Sequence, residues 1–325
     1  MDSSAAGLYG LRIRSDLPLA LDLPPAGGET YPDLVIHLCR EPPVSLEGAS
    51  NDSVYESSLS DLQGRSVLRI YRLAGWDLLH FPGVADFYLS DREILCRPVE
   101  GGDRRMLEIR FLGTVMAFWL ERSGTAALHA SAVALGDRAV GLLAASGSGK
   151  SSLTLGLLDR GARLLTDDIL ALDLDDSNLE DRRVSARPSY PALRMWPDLA
   201  RRYVDDVSSL PKVNDRVEKV WTTPQALGFE FQPSSSPLAA IYLPERLDEE
   251  RAVEIEAVGP REALAELLRH SFLHRMPAAL GWERRRLETL ARVVESVPVR
   301  RLRYPSGWQY LPAVLDAVEE SLGFG

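Results

Sequence analysis

The chain has 325 residues, 45% hydrophobic and 26% charged, which is enough apolar material for one large or two ordinary domains. A formal net charge of -10 argues against a general nucleic-acid binder and against a protein that coats anionic membranes. Two cysteines, Cys39 and Cys96, make no disulfide scaffold; with no apolar run of about 18 residues and no leader pattern, the expected setting is cytoplasmic, away from membranes.

Residues 1–105 read as a smaller β-rich N-terminal domain for substrate recognition or assembly. Its strand candidates are Asp33–Leu38, Ser66–Leu73, Trp76–Pro82 and two short runs around Ser90 and Asp91. Residues 106–325 read as a second, α/β domain. It begins on a helical period, with Leu107, Phe111, Val115 and Phe118 on one face and Gly124 as the stop. Two apolar runs then flank Gly136-Asp137, which predicts a tight hairpin. The second run leads into "AASGSGKSS" (144–152), followed by a short helix ending at Gly161. "ARLLTDD" and "ILALDL" read as buried strands, and alternation of strand and helix marks an α/β fold. Between 175 and 240 many prolines break the chain into loops and short elements. Pro237–Glu245 is a further core strand candidate, and helices dominate from Pro260 to the end. Two basic stretches containing aromatics, "WERRRLETLARVV" and "VPVRRLRYPSGWQY", read as solvated faces of C-terminal helices; docking an acidic peptide or clamping a nucleotide are the alternatives.

The loop has the parts that a polyphosphate requires. Ser146, Gly147, Ser148 and Gly149 bring backbone close to an anion, and the glycines remove the β-carbons that would obstruct it. The following helix offers its first amides and the positive end of its dipole. Lys150 reaches terminal phosphates, Ser151 offers a hydroxyl to Mg²⁺, and Ser152 stands beside it. The full pattern has Gly where this chain has Ala144, which a negative φ tolerates. Asp167 and Asp168 follow at a strand end. One carboxylate suits the metal, here Asp167 with Ser151; the other suits a base that takes a proton from an attacking hydroxyl. A neighbouring carboxylate is expected to raise the pKa of that base.

His129 in "LHASAV", the loop, and "LLDRGARLLTDD" together resemble the HPr kinase/phosphorylase family. The spacings are 21 residues from His129 to Lys150 and 18 from Lys150 to Asp168. The resemblance implies a P-loop kinase domain related to the nucleotide domain of phosphoenolpyruvate carboxykinases. It also implies that Asp168 is the base, that Asp167 and His129 support it, and that Ser151 binds Mg²⁺. The match spans roughly residues 125–175. The family's later "E-I-R-G-x-G" block is not found; "RPSYPALRMWPD" and "NDRVEKVW" stand there instead. That combination is similar to HPr-kinase-like enzymes found beside lasso-peptide biosynthesis genes, which phosphorylate a serine at the end of a precursor peptide.

The expected activity is therefore transfer of a phosphoryl group to a serine of a peptide or protein, with ATP, GTP or pyrophosphate as donor and Mg²⁺ as cofactor. Arg194, Arg216 and Lys219 are candidates to neutralise charge on the transferred group. A small-molecule hydroxyl kinase and a non-catalytic nucleotide sensor are the alternatives. Family members often assemble, so the resemblance also implies a homo-oligomer without fixing its size.

Overall fold

The computed structural model describes residues 5–27, 31–44, 52–61, 63–145, 147–175, 183–214, 217–274 and 276–323. It is a mixed α/β structure with two eight-stranded sheets. The chain forms two compact units: residues 1–123 with 275–284, and residues 124–274 with 285–325. Among the described residues no helix is long and apolar enough to cross a membrane.

The first unit is built on one sheet. Its spatial order is Ala6–Leu8, Leu11–Ser15, Leu34–Leu38, Glu93–Pro98, Ala85–Leu89, Trp76–Phe81, Arg69–Leu73 and Tyr55–Glu56. Each strand expected from the sequence is present. The helix read from the four-residue period runs in three segments, Arg104–Arg110, a wider π turn Phe111–Val115, and Met116–Arg122. Asp103 caps it, its carboxylate accepting from the amides of Arg105 and Met106. The π turn disturbs the ordinary carbonyl ladder, and the buried Tyr9 hydroxyl donates to the Leu112 carbonyl at 2.7 Å.

This helix belongs to the first unit, so the division falls after Ser123 rather than after residue 105. The reason is its apolar face. Leu107, Phe111, Val115 and Phe118 are all buried, and Phe111 stacks on the sheet residue Phe87 with ring centroids 6.3 Å apart.

The second unit carries the motifs. Ala126–Leu135 and Arg138–Leu143 form the expected antiparallel hairpin, with Leu135 opposite Arg138 and Gly136 at φ 58°. From Arg138–Leu143 the sheet runs through Ala126–Leu135, Ile169–Asp175, Arg183–Arg187 and Ser236–Leu247. It continues to Val299–Pro305 and Glu254–Ala257. Arg138–Leu143 also pairs in parallel with Ser236–Leu247, so five of these strands close a ring.

Both faces of the sheet are covered, which is why central strands such as Ala126–Leu135 and Arg138–Leu143 read as largely apolar runs. Val133, Val140 and Leu142 face the helices Lys150–Asp159 and Leu311–Ser321 through Leu153, Leu157, Val314 and Leu315. Ala132, Ala134 and Leu143 face the other way, toward Leu267, Leu290 and Val293. The C-terminal region is not wholly helical: Val299–Pro305 is a strand inside the sheet. A small third sheet, Leu193–Met195, Val217–Thr222 and Lys212–Asn214, lies in the proline-rich region read as loops and short elements.

Candidate functional site

The strand Arg138–Leu143 ends at the loop, and the helix Lys150–Asp159 begins at its far side. Gly149 is the residue before the helix and has φ 90°, a conformation that side chains rarely accept. A β-carbon there would also collide with the Tyr304 hydroxyl and crowd Arg246. Among the described residues no side chain caps this helix, which leaves its first-turn amides without a side-chain partner at the edge of the cleft. The loop is braced from outside. Arg246 donates to the Gly147 carbonyl, and the Tyr304 hydroxyl donates to the Ser148 carbonyl at 3.4 Å.

Lys150 is almost fully buried, with its Nζ 3.4 Å from the Ala144 carbonyl. Burial lowers the pKa of this ammonium, against the pull of Asp167 and Asp168. The Ser151 hydroxyl lies 3.4 Å from the Arg194 carbonyl.

The two aspartates sit between the strands Arg163–Thr166 and Ile169–Asp175. Ile169 is the ladder partner of His129, and the Asp168 carbonyl accepts from the Ala130 amide at 3.2 Å. That register delivers Asp168 to His129: Oδ1 lies 3.4 Å from the imidazole Nδ1. The other oxygen, Oδ2, is ion-paired with the Arg194 guanidinium. Asp167 is held on both oxygens. The Ser131 hydroxyl donates to Oδ1 at 2.8 Å, and the Arg194 amide donates to Oδ2 at 2.6 Å.

His129, Gly147, Gly149, Lys150, Ser151, Ser152, Asp167, Asp168, Arg194 and Lys219 all border one open cleft of about 720 Å³. That volume suits a ligand of nucleotide size. Ser148 sits in the same loop, its amide 3.3 Å from the Ala145 carbonyl. Ser146 and Arg216 lie outside the described residues. Lys219 packs its ammonium 5.5 Å from the centroid of Trp196, another cleft residue.

No protein-family model matches the chain, and no curated protein matches it. Among solved structures, the chain is similar to the Hpr(Ser) kinase/phosphatase from Coxiella burnetii. The two are 14% identical with a TM-score of 0.29, over 61% of this chain and 99% of that one. So distant a likeness transfers no residue roles.

The carboxylates are split electrostatically, and in the opposite sense to that expected. Burial raises the pKa of Asp167, and the Arg194 amide, Ser131 and Lys150 only partly offset it. Burial also pushes the Asp168 carboxyl up, but Arg194 and His129 outweigh it and hold it well below the usual carboxylate range. Arg194 itself is raised: burial is overcome by Asp168, Tyr190 and Asp167. The raised group is thus Asp167, and Asp168 is held ionised by the Arg194 guanidinium and the His129 ring beside it.

Several residues that line or brace the site escape a local reading of the sequence. Ser131 does carry a signal, because it lies two residues after His129 on one strand and so shares its face. Arg246 and Tyr304 are ladder partners on adjacent parallel strands. They are 58 positions apart, and only the sheet brings them together. Trp196 and Trp308 also border the cleft, through packing that no short motif encodes.

Proposed function

We propose that the chain is a phosphotransferase that moves the terminal phosphoryl group of a nucleoside triphosphate to a serine hydroxyl of a peptide or protein. One observation carries this reading: the Asp168 carboxylate borders the same cleft as the uncapped helix start and Lys150. In it, the loop amides and Lys150 take the β- and γ-phosphates. The serine Oγ–H gives its proton to Asp168 while Oγ bonds to the γ-phosphorus. The bond from that phosphorus to the bridging oxygen breaks in line, and the nucleoside diphosphate leaves with the electron pair.

Asp168 meets the acceptor as a carboxylate because His129 and Arg194 hold it ionised. Both its oxygens are engaged in the chain alone, so the acceptor hydroxyl needs one of them released. Arg194 is the group suited to change partners, from Asp168 to the oxygens of the transferring phosphoryl, where a guanidinium neutralises developing charge.

The donor set near the loop fits Mg²⁺. Ser151 and Asp167 are hard oxygen ligands that both reach the backbone of Arg194, one at its carbonyl and one at its amide. Among the described residues no group of three or more His, Cys, Asp or Glu side chains forms a ready-made cage. Mg²⁺ is commonly held by one or two protein oxygens plus substrate phosphates and water, and when bound it neutralises phosphate charge. The combination of the loop and aspartate motifs with "RPSYPALRMWPD" and "NDRVEKVW", in place of the family's later block, favours a terminal serine of a precursor peptide as acceptor.

The test is Asp168→Asn assayed with ATP, Mg²⁺ and a serine-containing peptide, with nucleotide binding measured in parallel. The expected result is retained binding with transfer reduced at least about a hundredfold, the low end for losing a positioned base. Unchanged transfer in the variant defeats the base assignment. Phosphate appearing only on small alcohols would move the acceptor to metabolites.

A further inference from the structure

Trp308 belongs to the stretch "RYPSGWQY", whose strand ends at Pro305. Gly307, at φ 131°, turns the chain there, and a short 3-10 turn begins with Trp308. The indole is left 41% exposed, an unfavourable place for so large an apolar surface. It is also a shared wall. It borders the main cleft with the phosphate loop, and a smaller hollow of about 100 Å³ with Gly149, Ser152 and Tyr304. A third hollow, of about 460 Å³, has Trp308 beside Arg202 and Tyr203. The Arg202 guanidinium lies over the ring, 4.3 Å from its centroid, so the ring already accepts a flat group by stacking. Arg202 does not border the main cleft, whereas Trp308 does.

We propose that Trp308 is the stacking platform for a nucleobase, and that the donor is a nucleoside triphosphate recognised through its base. This rests on the reading that the 147–152 loop takes the phosphates, and it deepens that reading. Phosphates at the start of the helix Lys150–Asp159 leave the nucleoside to run outward along the loop's flank. The hollow shared by Gly149, Ser152 and Trp308 lies on that flank. The base stacks on the part of the indole that faces the cleft, and Arg202 stays stacked on the ring. A bare polyphosphate has nothing to place there, so Trp308 separates nucleotide donors from inorganic ones.

The experiment is calorimetric titration of the full chain with Mg-ATP and, separately, with Mg-tripolyphosphate. Trp308→Ala should bind ATP on the order of 10- to 100-fold more weakly, the range for one lost base–aromatic stack. Its tripolyphosphate affinity should stay within about twofold, which also shows that the loop remains folded. Trp308→Phe should keep most of the ATP affinity, because a smaller aromatic face remains. The proposal is overturned if Trp308→Ala changes both ligands equally or neither. It is likewise overturned if the unaltered chain binds tripolyphosphate as tightly as ATP, a result that leaves the phosphate loop standing. Failure of the unaltered chain to bind either ligand removes the phosphate-loop reading and this one with it.

Discussion

Gly149 shows how much one absent methyl group decides. Its φ of 90° is strained for any side chain, at about 1–2 kcal/mol, and the space a β-carbon needs is filled by the Tyr304 hydroxyl. Gly149→Ala should therefore distort the loop and weaken Mg-ATP binding by tenfold or more, measured by titration. Adding Tyr304→Phe should recover part of that loss, since it removes the obstructing oxygen but not the backbone strain. Arg194 works through charge. The folded chain holds Asp168 below its ordinary pKa, so between that value and about 4 the unfolded chain binds more protons. This contribution to stability is complete above the unfolded value and is lost as pH falls toward the folded one. Arg194→Met should cost about 3–5 kcal/mol near neutral pH, as removing one partner of a buried pair does. It should also flatten the acid side of the stability curve, read as Tm against pH. An unchanged acid limb would show that Arg194 does not set the Asp168 ionisation.

At the scale of elements, the sequence is legible where one period holds over a whole segment. The hairpin around Gly136-Asp137, the loop, the helix after it and the aspartate turn all follow from local pattern. The strand Val299–Pro305 does not. Arg300, Arg301 and Arg303 make it look like a solvated helical face. In the fold Arg303 reaches Glu256 at 2.8 Å and Glu245 at 3.2 Å, Arg301 reaches Glu262 at 2.5 Å, and Arg300 donates to the Ser321 carbonyl at 2.7 Å. The partners that make the strand tolerable are remote in sequence, so local period misassigns it. Helix packing is equally non-local. A β-carbon on Gly156 would lie 2.9 Å from Leu315 Cδ1, which fixes how closely the helix Leu311–Ser321 approaches Lys150–Asp159. Gly156→Val adds volume at this contact and should destabilise the chain by about 1–3 kcal/mol in denaturant titration. Leu315→Ala in the same chain should relieve part of that cost, because the two changes act on one contact. Full additivity of the two would contradict the packing assignment.

For the whole molecule, the informative feature is that the first unit is not continuous in sequence. Residues 275–284 return to it after 151 residues of the second, 124–274. Composition gives no hint of this, because Pro277 and Gly281 delimit a short helix within the returning segment and mark no domain boundary. Its physical role is to close an apolar surface. Trp282 packs on the buried Phe118 with ring centroids 4.9 Å apart, and the Leu280 carbonyl accepts from Arg72 at 2.6 Å. The Trp282 amide is itself held by the Pro277 carbonyl at 2.9 Å, so the indole is presented by an ordered turn. Without the indole, Phe118 and the helical segment Met116–Arg122 lose a covering ring. Trp282→Ala should then destabilise the first unit by about 2 kcal/mol, less than the 3–5 typical of a fully buried aromatic because Trp282 is only half-buried. Hydrogen exchange read residue by residue is the measurement that locates the effect. Amides of Met116–Arg122 should exchange on the order of tenfold faster in Trp282→Ala, and Trp282→Phe should restore most of their protection. Unchanged protection in that segment would mean that residues 275–284 lie against the first unit without stabilising it.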